Sequence, residues 1–139
     1  MAVALTSAHY PCGPSICNPY YSCVLDNAKY GCIYRCEQVT ITQQVINSWA
    51  DNNGKDKYVQ VQVTVHNNGP RNVNNVIIGA ADGTLKLKDN NAIWGVVSTG
   101  NDLTLPSYAS TINAGQSYTF GYINRVSQAN LYVKNFHML

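Results

Sequence analysis

The stretch Tyr58–Val65 reads YVQVQVTV and alternates polar and apolar residues from end to end. Successive side chains of a β-strand point to opposite faces, so its valines would share one face. Its tyrosine, glutamines and threonine would share the other. Glutamines are seldom buried together, so the face that carries Tyr58, Gln60 and Gln62 is expected to be exposed. The pattern therefore predicts a strand with one buried and one solvated face.

Short apolar or alternating runs flank this strand on both sides, and turn-forming residues separate them. The runs are Gln38–Ile46, Val73–Ile78, Thr84–Lys88, Ala92–Ser98, Ser117–Ile123 and Asn130–Phe136. None of these segments repeats its apolar residues with a helical period over ten residues. The series predicts an all-β fold, an antiparallel β-sandwich of immunoglobulin-like or jelly-roll-like type, with a barrel as the lesser alternative.

All five cysteines lie in a short segment near the N-terminus, spaced C-x4-C-x5-C-x8-C-x3-C. Such a cluster predicts disulfides and an oxidising compartment, whereas zinc sites usually show C-x2-C pairs. The predicted disulfide residues are Cys12, Cys17, Cys23, Cys32 and Cys36, and the odd number leaves one over. We expect three parts: residues 1–8 as an N-terminal remnant or linker, 9–36 as a Cys-rich segment, and 37–139 as the sandwich.

Charged residues make up only 12% of the chain, and the net charge is +2. No stretch concentrates lysine or arginine, so a nucleic-acid partner is not expected. No apolar run approaches the ~20 residues of a membrane span. The acidic residues stand at loop or strand boundaries, and the histidines are scattered. We therefore expect a protein that is not an enzyme and needs neither a cofactor nor a metal.

Four aromatic residues are candidates for a binding surface: Trp49, Tyr58, Trp94 and Tyr108. Trp49 leads into a polar loop, and Tyr108 follows a Pro-Ser turn. In an extended chain Trp94 would oppose the face of Ile93. The alternative is that each tryptophan packs into the core, since tryptophan is usually buried at least in part.

Exposed aromatic rings beside amides suit a β-linked glucose polymer. A pyranose ring presents an apolar face of axial C–H bonds that can stack on an aromatic ring. The amides of Gln60 and Gln62 could then bond the hydroxyls at the sugar's edge. A neutral polymer gains nothing from charge, which agrees with the low charge content. The expected partner is thus a polysaccharide.

The chain resembles carbohydrate-binding module family 49 from Val39 to Phe136, because a set of short motifs stands in the family's order. The motifs are Ser48-Trp49, Tyr58 leading YVQVQVTVHN, Ile93-Trp94-Gly95, Leu105-Pro106-Ser107-Tyr108, Ala114-Gly115-Gln116-Ser117, Phe120-Gly121-Tyr122-Ile123, and Ala129 with Leu131, Val133 and Phe136. Family members bind cellulose without cleaving it, in some plant endoglucanases and in wall and spore-coat proteins of amoebae. The resemblance implies a binding platform at Trp49, Trp94 and Tyr108, where the family usually has tryptophan at the third position, with Tyr58 as a fourth aromatic.

The Cys-rich segment resembles short EGF-like or follistatin-like modules of extracellular proteins. That resemblance implies the pairs Cys12–Cys23 and Cys17–Cys32, with Cys36 left over. Together the two resemblances imply a secreted protein of a cell wall, spore coat or extracellular matrix that binds cellulose or another β-1,4-glucan, and other matrix proteins are possible partners. Two rivals stay open: an adhesion protein whose aromatics anchor another protein, and a small glucanase.

Overall fold

The computed structural model describes residues 9–18, 21–34, 38–81, 83–100 and 102–139 of the chain. Within these ranges the secondary structure is almost entirely β, with one 3₁₀ turn at Ser107–Ala109. The strands are β1 (Tyr10–Cys12), β2 (Ser15–Cys17), β3 (Tyr21–Asp26), β4 (Lys29–Tyr34), β5 (Val39–Asp51), β6 (Asp56–Asn67), β7 (Val73–Ala80), β8 (Ile93–Trp94), β9 (Val97–Thr99), β10 (Asp102–Thr104), β11 (Thr111–Ile112), β12 (Ser117–Arg125) and β13 (Leu131–Met138). No helix in the described part of the chain has the length and hydropathy to cross a membrane.

The strands form two main sheets and a small hairpin. The front sheet has the order β5-β6-β12-β8, and all of its pairings are antiparallel. The back sheet has the order β4-β3-β13-β7-β10-β9, and β11 adds to β7. The hairpin consists of β1 and β2. Among the described pairings one is parallel, between β3 and β13.

The alternation of β6 decides which face of the front sheet is buried. Val61, Val63 and Val65 are fully buried. On the neighbouring strand Tyr122 pairs with Val61 and Phe120 with Val63, and both aromatic rings are buried as well. The prediction that β6 has one buried face is confirmed.

The inner face of the back sheet supplies the other half of the core. Ile78 of β7, Leu103 of β10 and Phe136 of β13 have no exposed surface, and they belong to the same apolar cluster as the β6 valines. Two sheets packed face to face over one core are a β-sandwich, so the predicted fold class is confirmed.

The Cys-rich segment is continuous with the back sheet. β3 pairs with β13, and the Ser22 hydroxyl donates to the Val133 carbonyl. Disulfides join Cys12 to Cys23 and Cys17 to Cys32, which confirms the implied pairing. Cys36 lies outside the described residues. The division into segments 9–36 and 37–139 stays a prediction, although strands from both parts share a sheet.

Two predicted strands differ in the structure. Thr84–Lys88 is not a strand; it is held against the end of β12 by one bridge, between Leu87 and Asn124. Ala92–Ser98 is divided into β8 and β9 at Gly95, whose φ of 81° interrupts the extended chain. An interior glycine is a frequent site of such a break.

Asn124 explains why the segment before β8 stays irregular. Its side chain is 1% exposed. Its amide donates to the carbonyls of Thr84 and Ser127, and its carbonyl oxygen accepts from the Lys86 N–H. One buried side chain thus satisfies backbone groups of two loops, in addition to the backbone hydrogen bonds that join Lys86 and Lys88 to β12.

We expect Asn124→Ala to lower the free energy of unfolding by about 3 kcal/mol, because three backbone groups lose their partner at once. Urea denaturation measures the change. The matched control is Asn113→Ala at an exposed position, which should cost less than about 0.5 kcal/mol. Equal, small losses for both variants would contradict this role of Asn124.

Candidate functional site

The front sheet has an outer face, turned away from the core, that carries most of the predicted binding residues. Alternation along β6 places Tyr58, Gln60 and Gln62 on this face, opposite to the buried valines. The register of β12 adds Thr119 and Gly121, which pair with Thr64 and Gln62. The prediction that Tyr58 shares its face with the two glutamines is confirmed.

Trp94 lies on this outer face at the edge strand β8. It pairs with Gly121, and its side chain is 43% exposed. The indole rests on Gly121: a Cβ atom at that glycine would lie 2.5 Å from Cζ2 of Trp94. Ile93, the preceding residue, points the other way and packs against the core. The alternative that Trp94 is a core residue is therefore wrong.

A shallow concavity of about 230 Å³ adjoins the indole. Its lining includes Ile46, Gln60, Gln62 and Thr119 besides Trp94. Ile46 is 49% exposed at a register shift of β5, between Val45 and Asn47. The amides, the hydroxyl and the apolar surfaces in this lining match the mixed character of small-ligand sites.

Trp49 and Tyr58 form a second aromatic group on the same face. They are direct cross-strand partners on β5 and β6, with ring centroids 5.8 Å apart and planes tilted by 36°. The Lys88 ammonium lies 5.4 Å from the centroid of Tyr58. Both aromatic side chains are half-buried. Tyr58 thus contacts the ring of Trp49 on one side and lies near the Lys88 ammonium on another.

Tyr108 projects from the 3₁₀ turn and is 80% exposed. Its hydroxyl lies 3.4 Å from that of Tyr118, which donates to the Gly95 carbonyl at 2.6 Å. Because Tyr118 gives its proton to Gly95, the bond between the two tyrosines uses Tyr108 as donor. Burial, and secondarily the bond to Tyr108, raises the pKa of Tyr118 to about 12. The Tyr118 hydroxyl therefore keeps its proton at neutral pH. This link connects Tyr108, through Tyr118, to the backbone at Gly95, where β8 has ended.

Trp49 and Tyr58 thus form a ring pair, whereas Tyr108 is linked to Tyr118, whose side chain is on the core side of β12. Gln62, level with Trp94, is four residues from Tyr58 along β6, which corresponds to about 13 Å. Trp94 lies two strands from β6, so Trp94 and Tyr58 are separated by ~16 Å. Gln60 and Gln62 lie in the interval between them.

Two features of this face were not predicted from sequence. Gly121 lies directly beneath the indole of Trp94. Its signal in the sequence was a glycine inside a strand pattern, which often marks a place where another group packs closely against the backbone. Ile46 reaches the face through the register shift, which no local pattern reveals.

Acid–base and metal chemistry find little support among the described residues. Asp26 pairs with Arg71, Asp102 with Lys134 and Asp89 with Lys88. The tightest group of possible metal ligands consists of three cysteine sulfurs, and all three are in disulfides, which leaves no thiolate to bind an ion.

Comparison with known proteins gives a family and several relatives. The model of the carbohydrate-binding domain CBM49 matches residues 39–128. Stalk-specific proteins B and A of Dictyostelium discoideum are each 39% identical to the chain over 142 positions, covering 96% of this chain and 90% of the relative.

A plant relative matches a smaller share of the chain. Endoglucanase 19 of Arabidopsis thaliana is 31% identical over 100 residues, which is 72% of this chain but 15% of that protein. The family match includes Trp49, Tyr58, Trp94 and Tyr108, and it confirms the resemblance noted in the sequence. The chain therefore belongs to the carbohydrate-binding domain family CBM49.

Proposed function

We propose that this protein binds cellulose or a related β-1,4-glucan, without cleaving it, on the outer face of the front sheet. The observation that carries the proposal is the seating of Trp94 on Gly121, which holds a large flat ring at the surface of the sheet, 43% exposed. A ring fixed by its backbone support loses little conformational entropy when a ligand stacks on it.

The contacts on this face suit a chain of neutral sugars. Trp94 and Trp49 offer aromatic surface for the apolar side of two sugar rings, and Tyr108, linked through Tyr118 to Gly95, offers a third and more exposed ring. Gln60 and Gln62, between Tyr58 and Trp94, offer amide donors and acceptors for hydroxyls at the sugar edges. A tyrosine at position 108 presents less stacking area than a tryptophan would.

The expected affinity is moderate. Stacking on an aromatic side chain contributes roughly 1–3 kcal/mol in the comparable case of nucleic-acid bases. Three such contacts at the upper end give about 9 kcal/mol, and an association cost of about 4 kcal/mol leaves about 5 kcal/mol, a dissociation constant of roughly 0.2 mM.

The positions of the carboxylates favour binding of the glucan over its hydrolysis. A glycosidase needs two carboxyl groups that face each other across a bound sugar. Asp51 and Asp56 are cross-strand partners, but both are exposed where β5 turns into β6. Turns favour aspartate for their own hydrogen bonding. A turnover assay on soluble glucan should therefore show no reducing ends released.

We propose that the protein is secreted and belongs to a cell wall, spore coat or extracellular matrix. The two disulfides suit an oxidising compartment. Relatives carry the names stalk-specific protein and spore germination protein in Dictyostelium discoideum. The rival role, docking of another protein on these aromatics, differs in one respect: soluble cello-oligosaccharides would not compete for it.

We expect Trp94→Ala to weaken binding to cellulose by roughly 5- to 100-fold, because one stacking surface is lost. Retention on cellulose in a pull-down, with and without cello-oligosaccharide competitor, measures the effect. Trp94→Phe is the matched control, since it keeps an aromatic ring and should retain part of the binding. If Trp94→Ala binds like the unchanged protein, or unfolds far earlier, the proposed platform is wrong.

A second variant moves the ring without removing it. Gly121→Ala would place a Cβ against the indole, so Trp94 must shift and cellulose binding should fall several-fold while circular dichroism stays unchanged. Gly31→Ala in β4 is the control, because a Cβ there meets no atom within 4 Å. Undiminished binding by Gly121→Ala would show that the seating of Trp94 does not matter for the ligand.

A further inference from the structure

A second concavity lies at the end of the front sheet that carries Tyr58. It has a volume of about 320 Å³ and is lined by Lys55, Asp56, Lys57, Tyr58, Arg125 and Val126. Three cationic side chains and one carboxylate line it, so its net charge is positive. This composition differs from the uncharged lining beside Trp94.

The cations are grouped around Tyr58. Arg125 is its direct cross-strand partner on β12. Arg125 also donates to the Lys88 carbonyl at 3.2 Å, and the Lys88 ammonium lies 5.4 Å from the centre of the tyrosine ring. The fold therefore gathers Lys55, Lys57, Lys88 and Arg125, four of the nine lysines and arginines of the chain, at one end of the face.

Most of these cations have no partner of opposite charge. Among the described residues, Lys55, Lys57 and Arg125 form no ion pair, while Lys88 lies 3.7 Å from Asp89. Elsewhere Arg71 and Lys134 each have a carboxylate within 3.0 Å. Unpaired cations beside an aromatic pair are free to meet an anionic group on a sugar.

We propose that this end of the front sheet binds an anionic sugar unit: a pyranose ring of a β-glucan chain that carries a carboxylate or a sulfate group. The proposal rests on the proposed function, since Trp49 would stack on the ring whose anionic substituent reaches the concavity lined by Lys57 and Arg125. This arginine and this lysine would supply charge-assisted hydrogen bonds to the oxygens of the anionic group.

The expected gain is modest because the site is exposed. Surface ion pairs contribute little each, so two of them should strengthen binding roughly three- to tenfold at low salt. Salt should remove the gain, since at ~1 M ionic strength the Debye length is only ~3 Å. Stacking, by contrast, is insensitive to salt.

The test compares three soluble polymers that share the cellulose backbone. Hydroxyethyl cellulose is neutral, carboxymethyl cellulose carries carboxylates, and cellulose sulfate carries sulfate esters. Affinity electrophoresis at low and high salt measures binding of the full chain to each. We expect tighter binding to at least one anionic polymer at low salt, and the polymer preferred identifies the source of the anion.

Variants that remove charged side chains test which residues cause the preference for anionic polymers. The double variant Lys57→Gln/Arg125→Gln should lose the preference and keep its binding to hydroxyethyl cellulose. The matched control is Lys29→Gln/Arg71→Gln, which removes the same charge beyond the opposite end of β6 and should keep the preference. Asp56→Asn removes the carboxylate from the concavity and should increase the preference. Thermal unfolding of each variant checks that it folds.

The outcomes separate this inference from the proposed function. Equal binding of all three polymers at low salt, or a preference that survives in the Lys57→Gln/Arg125→Gln variant, overturns the anionic site and leaves glucan binding intact. A preference lost equally in the control variant also overturns it, because net charge alone would then be responsible. Failure to bind any of the polymers overturns both proposals.

Discussion

The register of β6 is the constraint on which the rest of the molecule depends. Val61, Val63 and Val65 are completely buried, and the strand pairs along its length with β5 on one side and β12 on the other. A shift of one residue would turn all three valines to solvent and bring Gln60 and Gln62 into the core. The core therefore fixes which side chains the front sheet presents to solvent.

The outer face follows from that register by direct pairing. Gln62 pairs with Gly121, and Gly121 pairs with Trp94 on the edge strand, so the indole lies where β12 has no side chain. At the other end Tyr58 pairs with Trp49. Interior packing and surface chemistry are thus two consequences of one alternating strand. The rigidity of the core is what would let such a surface meet a stiff polymer without reorganising.

The sequence predicted what local pattern can encode. Strict alternation identified β6 and its two faces. The polar loop after Trp49, the apolar Ile93 on the opposite face from Trp94 and the turn before Tyr108 indicated three aromatic side chains outside the core. The sequence pattern could not reveal the group of cations, because Lys57, Lys88 and Arg125 are far apart in the chain and come together only in the folded structure. Thr84–Lys88 was wrongly predicted as a strand because its backbone is bound by the buried side chain of Asn124, a contact with a distant residue. The parallel pairing of β3 with β13 likewise joins opposite ends of the chain.

The most direct test of the account is a titration of ¹⁵N-labelled protein with cellohexaose, followed by nuclear magnetic resonance. We predict that the indole N–H signals of Trp49 and Trp94 and the side-chain amides of Gln60 and Gln62 shift together. Asn75 and Asn135, which line a concavity of about 370 Å³ formed by the back sheet, should not respond. Shifts confined to the back-sheet amides, or unchanged indole signals at sugar concentrations that saturate binding, would contradict a glucan site on the outer face.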